Sequence, residues 1–110
     1  MEKMNEFLES LRVTPIYEGF SDREDVFGQF EKADDADIQI VYANYDCQCY
    51  EGSASLLYYR VSTGKYYEAY GSHCSCYGLE GQWNGDEEIV VAELLNRVVE
   101  LKAHYENWAQ

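Results

Sequence analysis

Two pairs of cysteines in the middle of the chain have the residue types and spacing of a metal site. Cys47 and Cys49 form the first pair, Cys74 and Cys76 form the second, and His73 directly precedes the second. Residues i and i+2 of an extended chain lie on the same side, so each pair presents two sulfur atoms together. If the two segments meet in the fold, four of these five residues supply a tetrahedral structural zinc site. We therefore predict zinc ligands drawn from Cys47, Cys49, Cys74, Cys76 and His73.

Other uses of these residues stay open at this point. Asp46 is an alternative oxygen ligand, and buried cysteines are also common as plain packing residues in small cores. A nucleophilic cysteine needs a base placed across space, whereas His73 in extended structure points away from Cys74. A thiol redox site lacks the C-x-x-C spacing, and nothing places Glu80 as the general base of a catalytic zinc. The sequence thus favours a protein that is not an enzyme.

The first residues of the chain indicate a compartment, and the compartment decides whether the cysteines are reduced or oxidised. Residues 1–7 lack the basic segment followed by an apolar run that is typical of a secretory signal. No stretch of the sequence approaches the 18 apolar residues of a membrane-spanning helix. We therefore expect a cytoplasmic protein, in which the cysteines are reduced and available to a metal.

The chain is strongly acidic. Eight Lys and Arg stand against 21 Asp and Glu, which gives a formal net charge of −13 at pH 7. Binding to phosphate needs clustered basic side chains, so direct contact with nucleic acid or with an anionic membrane is disfavoured. The charge instead predicts a partner with a basic surface, and most such surfaces belong to nucleic-acid-binding proteins.

The acidic residues concentrate in two stretches. The first contains Asp22, Glu24, Asp25, Glu31, Asp34, Asp35 and Asp37, and the second contains Glu80, Asp86, Glu87 and Glu88. Such runs are usually solvated faces. The sharper hypothesis is that they imitate the phosphates of DNA and enter the basic channel of a nuclease.

Eleven tyrosines suggest a second candidate surface. Neighbouring rings such as Tyr58 and Tyr59, or Tyr66 and Tyr67, fall on opposite faces of a strand. If the helices cover one face of the sheet, several rings stay partly exposed on the other face, as in many protein interfaces. Tyrosine is also simply a good strand residue, and this interpretation fits most of the positions.

Helical periodicity marks both ends of the chain. Apolar residues at helical spacing predict a helix over Glu2–Val13, which Pro15 ends. Ser21, with Glu24 three residues later, has the pattern of a capping box and predicts a short helix from residue 22 to about residue 32. Asn84 or Asp86 is expected to cap a long final helix that reaches about Trp108.

The middle of the chain has the period of strands. Residues 38–45, 54–61 and 66–70 are β-branched and aromatic, with turns predicted at 51–53 and 62–65. Four glycines between Gly71 and Gly85 predict an irregular segment. The element order ααβββα predicts one α+β domain over residues 1–110. In it, a small antiparallel meander of about three strands packs on one face against two N-terminal helices and one long C-terminal helix.

Residues 71–83, with the sequence GSHCSCYGLEGQW, resemble a stretch found in small proteins of tailed phages and prophages. The preceding strands are similar too, so the likeness covers about residues 38–95. Its motif carries no catalytic role that could be transferred, and the Cys47–Cys49 pair is not part of it. The four-sulfur site therefore depends on this sequence alone.

Small acidic phage proteins of this kind include anti-CRISPR inhibitors, and the whole chain resembles a type II anti-CRISPR protein. The resemblance implies an inhibitor that acts in the host cytoplasm. Its partner would be a CRISPR nuclease, whose guide and target lie in a positively charged channel. The alternatives are a small zinc-stabilised interaction module with another partner, and a zinc or thiol enzyme.

Overall fold

The computed structural model describes residues 2–48, 51–73, 79, 81 and 83–109, which form an α+β fold. Three helices and five strands follow one another in this part of the chain. They are α1 (Glu2–Val13), β1 (Ile16–Glu18), α2 (Arg23–Gln29), β2 (Ile38–Gln48), β3 (Glu51–Arg60), β4 (Lys65–His73), β5 (Asn84–Ile89) and α3 (Val91–Ala109). The long C-terminal helix and the bounds of α1 are as predicted.

The sheet is mixed, and it has more strands than the sequence predicted. The strands lie in chain order, β1-β2-β3-β4-β5. β1 runs parallel to β2, whereas the pairs from β2 to β5 are antiparallel. The prediction of about three antiparallel strands is therefore wrong at both edges, because β1 is only three residues long and β5 is rich in acids.

The three central strands are longer than predicted. Residues 51–53, predicted as a turn, begin β3, and residues 71–73, predicted as irregular, continue β4. Gly52 pairs with His73, and Gly71 pairs with Ala54. Glycine weakens a strand but does not prevent pairing, and Gly52 has a partner strand on each side.

The residues expected to cap the final helix belong instead to β5. Glu87 and Glu88 lie opposite Glu68 and Tyr67 of β4, so neither Asn84 nor Asp86 caps α3. The helix begins at Val91, and the backbone carbonyl of Val90 accepts the first helical hydrogen bonds. Pairing with β4 overrides the local preference of this acidic segment for a helix start.

The cap of α2 is shifted by one residue from the prediction. Asp22, not Ser21, is the N-cap, and its carboxylate accepts a 2.8 Å hydrogen bond from the backbone N–H of Asp25. The Asp25 carboxylate in turn accepts a hydrogen bond from the backbone N–H of Ser21. The helix ends at Gln29, about one turn before the predicted end.

Helices cover both faces of the sheet, so the prediction of helices on one face is wrong. On the first face, α1 and α3 pack on the sheet through Leu11, Leu94 and Val98. On the second face, α2 packs through Val26 and Phe27, together with residues from the connecting segments. Those segment residues are Phe20, Phe30, Leu79 and Trp83.

Candidate functional site

The ends of β2 and β4 that lead into the two cysteine pairs lie at the same end of the sheet. β3 runs between them, and Gly52 pairs with Cys47 on one side and with His73 on the other. The register therefore places the Cys47 and His73 backbone positions in one row across three strands. Cys49, Cys74 and Cys76 lie outside the described residues, so the zinc ligand set stays a prediction.

His73 is held by an aromatic cluster at this end of the sheet. Its Nε2 lies 2.6 Å from the hydroxyl oxygen of Tyr45, within hydrogen-bonding distance, and the two rings meet edge to face at 5.8 Å between centroids. The Tyr45 ring also stacks on Phe20 at 5.3 Å. Tyr45 thus links the imidazole to the buried core, a role that its sequence position as one of many strand tyrosines did not reveal.

Gly52 makes room for this pair. A Cβ atom at position 52 would overlap Nε2 of His73 and would lie 2.9 Å from Cε1 of Tyr45. The two rings therefore occupy the space that a side chain on β3 would fill. The sequence predicted Gly52 to lie in a turn, which hid this role; in the structure it lies inside β3, where a glycine often marks close approach of another group.

Asp46, the alternative oxygen ligand, faces a different group of residues. One of its carboxylate oxygens accepts a hydrogen bond from the Ser53 hydroxyl, and the other lies 3.4 Å from Nε2 of His104 on α3. Neighbouring residues of a strand alternate between faces, and Asp46 is one residue from the row that contains His73. The structure therefore separates Asp46 from His73.

The Ser53, Asp46 and His104 side chains do not form a nucleophilic triad. In a triad the histidine lies between the hydroxyl and the carboxylate, so that it can take the hydroxyl proton. Here the carboxylate lies between the other two, and the Ser53 hydroxyl donates directly to it. The arrangement ties α3 to β2 and β3 without activating Ser53.

The first acidic stretch forms a shallow, open concavity along α2. Its volume is about 540 Å³, and it is lined by Ser21, Asp22, Glu24, Asp25, Gly28, Gln29 and Glu31. Four of these seven residues carry a carboxylate, and none is basic. Asp22 and Asp25 are engaged in the helix cap, whereas Glu24 and Glu31 are exposed. The concavity therefore presents negative charge to solvent.

The remaining acids of that stretch are engaged with basic side chains of the protein itself. The Arg23 guanidinium donates to the Asp34 carboxylate at 2.8 Å, and also to the backbone carbonyls of Asp35 and Ile38 at 2.6 Å each. This hydrogen bond from Arg23 holds the pKa of Asp34 below its ordinary value. Asp34 thus fixes the segment between α2 and β2.

Asp37 ties the same segment to the β3–β4 turn. Its carboxylate accepts hydrogen bonds from the Ser62 hydroxyl and backbone N–H, each at 2.7 Å, and lies 3.4 Å from Nη1 of Arg60. The Ser62 hydrogen bonds and the Arg60 charge hold the pKa of Asp37 below its ordinary value. Asp34 and Asp37 therefore have structural roles in the folded protein, which their position in a run of charged residues does not indicate.

We expect Asp37→Asn to weaken the dependence of stability on acid pH. The folded pKa of Asp37 lies below its ordinary value of 3.8, so its carboxylate stabilises the fold above that pH. This stabilisation is lost as the pH falls through the folded pKa. The variant should have a lower urea midpoint than the wild type at neutral pH, and the difference should shrink below about pH 4.

Glu87→Gln is the matched control for this measurement. Glu87 is exposed on β5 and forms no ion pair with the residues described here. It should keep the acid response of the wild type. An undiminished difference between Asp37→Asn and the wild type in acid would show that the Asp37 carboxylate does not contribute as inferred.

The second acidic stretch is divided between structural and exposed carboxylates. Asp86, in a left-handed conformation with φ 21°, accepts hydrogen bonds from the Tyr58 hydroxyl and, at 3.0 Å, from Nε1 of Trp83. Glu88 lies 3.3 Å from Nζ of Lys65, while Glu87 is exposed. Glu80 lies outside the described residues. Asp86 therefore anchors the start of β5 to the core.

The tyrosine pairs do not form the exposed face that the sequence suggested. Tyr58 is fully buried and Tyr66 is 8% exposed, because each face of the sheet is covered. Tyr58 packs against Tyr67 and Trp83, and burial raises the pKa of its hydroxyl, as does the hydrogen bond to Asp86. Among the described residues, seven large hydrophobic side chains are exposed, and Tyr70, at 53% exposed, is the one tyrosine in this group.

Two described residues of the segment 71–83 have packing roles. Leu79 is fully buried, and Trp83 contacts Phe27, Phe30 and Tyr58 at 5.3–5.7 Å between ring centroids. These two residues therefore belong to the core on the α2 face.

Comparison of the chain with protein families, with curated proteins and with solved structures finds no match. Among the helices of the described residues, none is both long enough and apolar enough to cross a membrane.

Proposed function

We propose that the protein is a non-enzymatic inhibitor that binds the basic nucleic-acid groove of an RNA-guided nuclease. The observation that carries the proposal is the concavity along α2, whose lining contains four carboxylates and no basic residue. Carboxylates that are not neutralised within the protein attract a complementary basic surface and orient it. The resemblance of residues 71–83 to small phage proteins supports a CRISPR nuclease as the partner.

The exposed carboxylates of Glu24 and Glu31 are the groups that would face the partner. Both line the concavity, and the cap carboxylates of Asp22 and Asp25, which also line it, add to its negative potential. Asp34 and Asp37 are less suitable, because their carboxylates are hydrogen-bonded within the fold. Reversing those two charges would test folding instead of binding.

The test compares two charge-reversal variants that change the net charge equally. Glu24→Lys with Glu31→Lys reverses the concavity, whereas Glu6→Lys with Glu9→Lys reverses exposed residues of α1, which covers the opposite face of the sheet. Binding to a guide-loaded type II nuclease should weaken about tenfold or more in the first variant, because like charges would meet in the interface. The second variant should bind nearly as well as the wild type.

Added salt and added nucleic acid supply two further readouts. Attraction between exposed charges is screened over about 10 Å at 0.1 M salt, so association should slow as salt rises. Target DNA should compete with the protein for the groove of the guide-loaded nuclease. The proposal fails if the wild type neither binds the nuclease nor inhibits cleavage. Equal weakening by both variants would show that net charge, and not the concavity, is recognised.

A further inference from the structure

The end of α1 borders a second shallow concavity, which lies on the face of the sheet opposite to α2. This α1 concavity has a volume of about 450 Å³ and is lined by Glu9, Arg12, Val13, Gln39, Tyr59 and Val61. The two valines in the lining are exposed, Val13 at 84% and Val61 at 54%. The α1 concavity therefore presents apolar area to solvent.

One acid and one base give the α1 concavity a balanced charge. The α2 concavity carries four carboxylates and no basic residue, and a third concavity, beside β5 and α3, is lined by four glutamates and one arginine. Two chains that each carry a charge of −13 repel each other, and this repulsion is least where the facing surfaces are locally neutral. A second copy of the chain can therefore approach the α1 concavity more easily than the other two.

The Arg12 guanidinium is oriented but has no carboxylate partner in the described part of the chain. Its central carbon lies 4.1 Å from the centroid of the Tyr59 ring, and Tyr59 packs against Tyr66 at 5.1 Å between centroids. Each of the other arginines forms an ion pair, whereas Arg12 and Glu9 form none with the residues described here. A guanidinium held in one plane is suited to two-point binding of a carboxylate.

We propose that a second copy of this chain docks on the α1 concavity across a twofold axis. Residues three apart on a helix are neighbours on its surface, so Glu9 and Arg12 lie about one turn apart on the same side of α1. In a twofold contact the same patch meets itself. Arg12 of one copy therefore binds Glu9 of the partner subunit, and the reciprocal ion pair forms as well. Val13 and Val61 add apolar area beside these two ion pairs.

The small size of the patch predicts a dimer in equilibrium with monomer. Six residues line the α1 concavity, whereas a stable interface takes about 20–30 residues from each side. The fraction of dimer should therefore rise with protein concentration. Because α1 and α2 cover opposite faces of the sheet, the α2 concavity stays open in the dimer. This inference does not rest on the proposed function, and either can fail without the other.

Sedimentation equilibrium of the reduced, full-length protein measures the association. At about 0.15 M salt, exposed charges are screened beyond about 8 Å, so the overall charge does not mask a local contact. Glu9→Arg alone, or Arg12→Glu alone, brings like charges together and should raise the dissociation constant of the dimer about tenfold or more. Mixing these two variants should restore association, because each arginine then faces a glutamate across the axis.

Two controls separate the contact from general effects of charge and of apolar exposure. Glu6→Arg makes the same change of net charge as Glu9→Arg, at an exposed position of α1 that does not line the concavity, and it should dimerise as the wild type does. Val13→Ser should weaken the dimer, whereas Val99→Ser, at a position of α3 that is 64% exposed, should not. A urea transition like that of the wild type shows that each variant is folded.

Three results would each overturn the docking. They are a wild type that sediments as a monomer up to about 1 mM, a mixture of the two reversed variants that associates no better than either alone, and equal weakening by Glu6→Arg and Glu9→Arg. If Arg12→Glu does not fold, the comparison of Val13→Ser with Val99→Ser still decides. Equal dimer affinity of those two variants would place the interface elsewhere and contradict the proposal.

Discussion

Replacing Gly19 with alanine should destabilise the protein by about 2–5 kcal/mol, through left-handed backbone strain and overpacking. Gly19 has φ 87°, a region that side chains with a Cβ rarely adopt. The added Cβ would also overlap the backbone carbonyl oxygen of Tyr45. Because that atom belongs to β2, the clash cannot be relieved by rotating a side chain, and β1 and Phe20 would have to move.

Gly28→Ala is the matched control, and its effect should have the opposite sign. Gly28 lies within α2, and a Cβ there would meet nothing within 4 Å. Alanine in a helix is favoured over glycine by about 0.5–1 kcal/mol, so this variant should be slightly more stable than the wild type. Urea denaturation of both variants measures the difference. Equal stability of the two would show that the chain does not pass β2 as closely as inferred.

The elements that the sequence predicted well are those whose pattern is local. The apolar period of α1 and the β-branched alternation of β2 depend only on which face is buried. β1 and β5 could not be predicted in this way. β1 has three residues and pairs in parallel with a strand more than 20 residues away, and β5 is acidic because it lies at the edge of the sheet, where charge discourages further pairing.

The candidate site also has features that follow from local sequence and features that depend on contacts between distant residues. Spacing predicts that each C-x-C pair presents two sulfur atoms together, since that depends only on neighbouring residues, but it does not show whether the two pairs meet. The contact between Tyr45 and His73 joins residues 28 positions apart and depends on the register of three strands. Likewise, the sequence does not distinguish Asp34 and Asp37 from the other acids, because it does not show that Arg23, Arg60 and Ser62 lie beside them.

Tyr58 shows how burial on the second face changes the interpretation of the tyrosines. A tyrosine on an uncovered sheet face would be an interface residue, and its replacement would weaken binding without affecting the fold. In the structure, α2 and Trp83 cover that face, and the Tyr58 side chain is fully buried beneath them. Its hydroxyl also donates a hydrogen bond to the Asp86 carboxylate near the start of β5, where Asp86 has a positive φ.

Tyr58→Ala should therefore lower the free energy of unfolding by about 3–5 kcal/mol, the usual cost of removing a large buried aromatic ring. Trp83 and Tyr67 would lose a packing partner, and Asp86 would lose a hydrogen-bond donor. Tyr70→Ala, at an exposed position of β4, should change stability by less than about 1 kcal/mol. Chemical denaturation of the two variants measures both effects. A stable, cooperatively folded Tyr58→Ala variant that loses only partner binding would contradict this prediction and make Tyr58 an interface residue. In that case α2 and Trp83 would have to move away from Tyr58 in the complex.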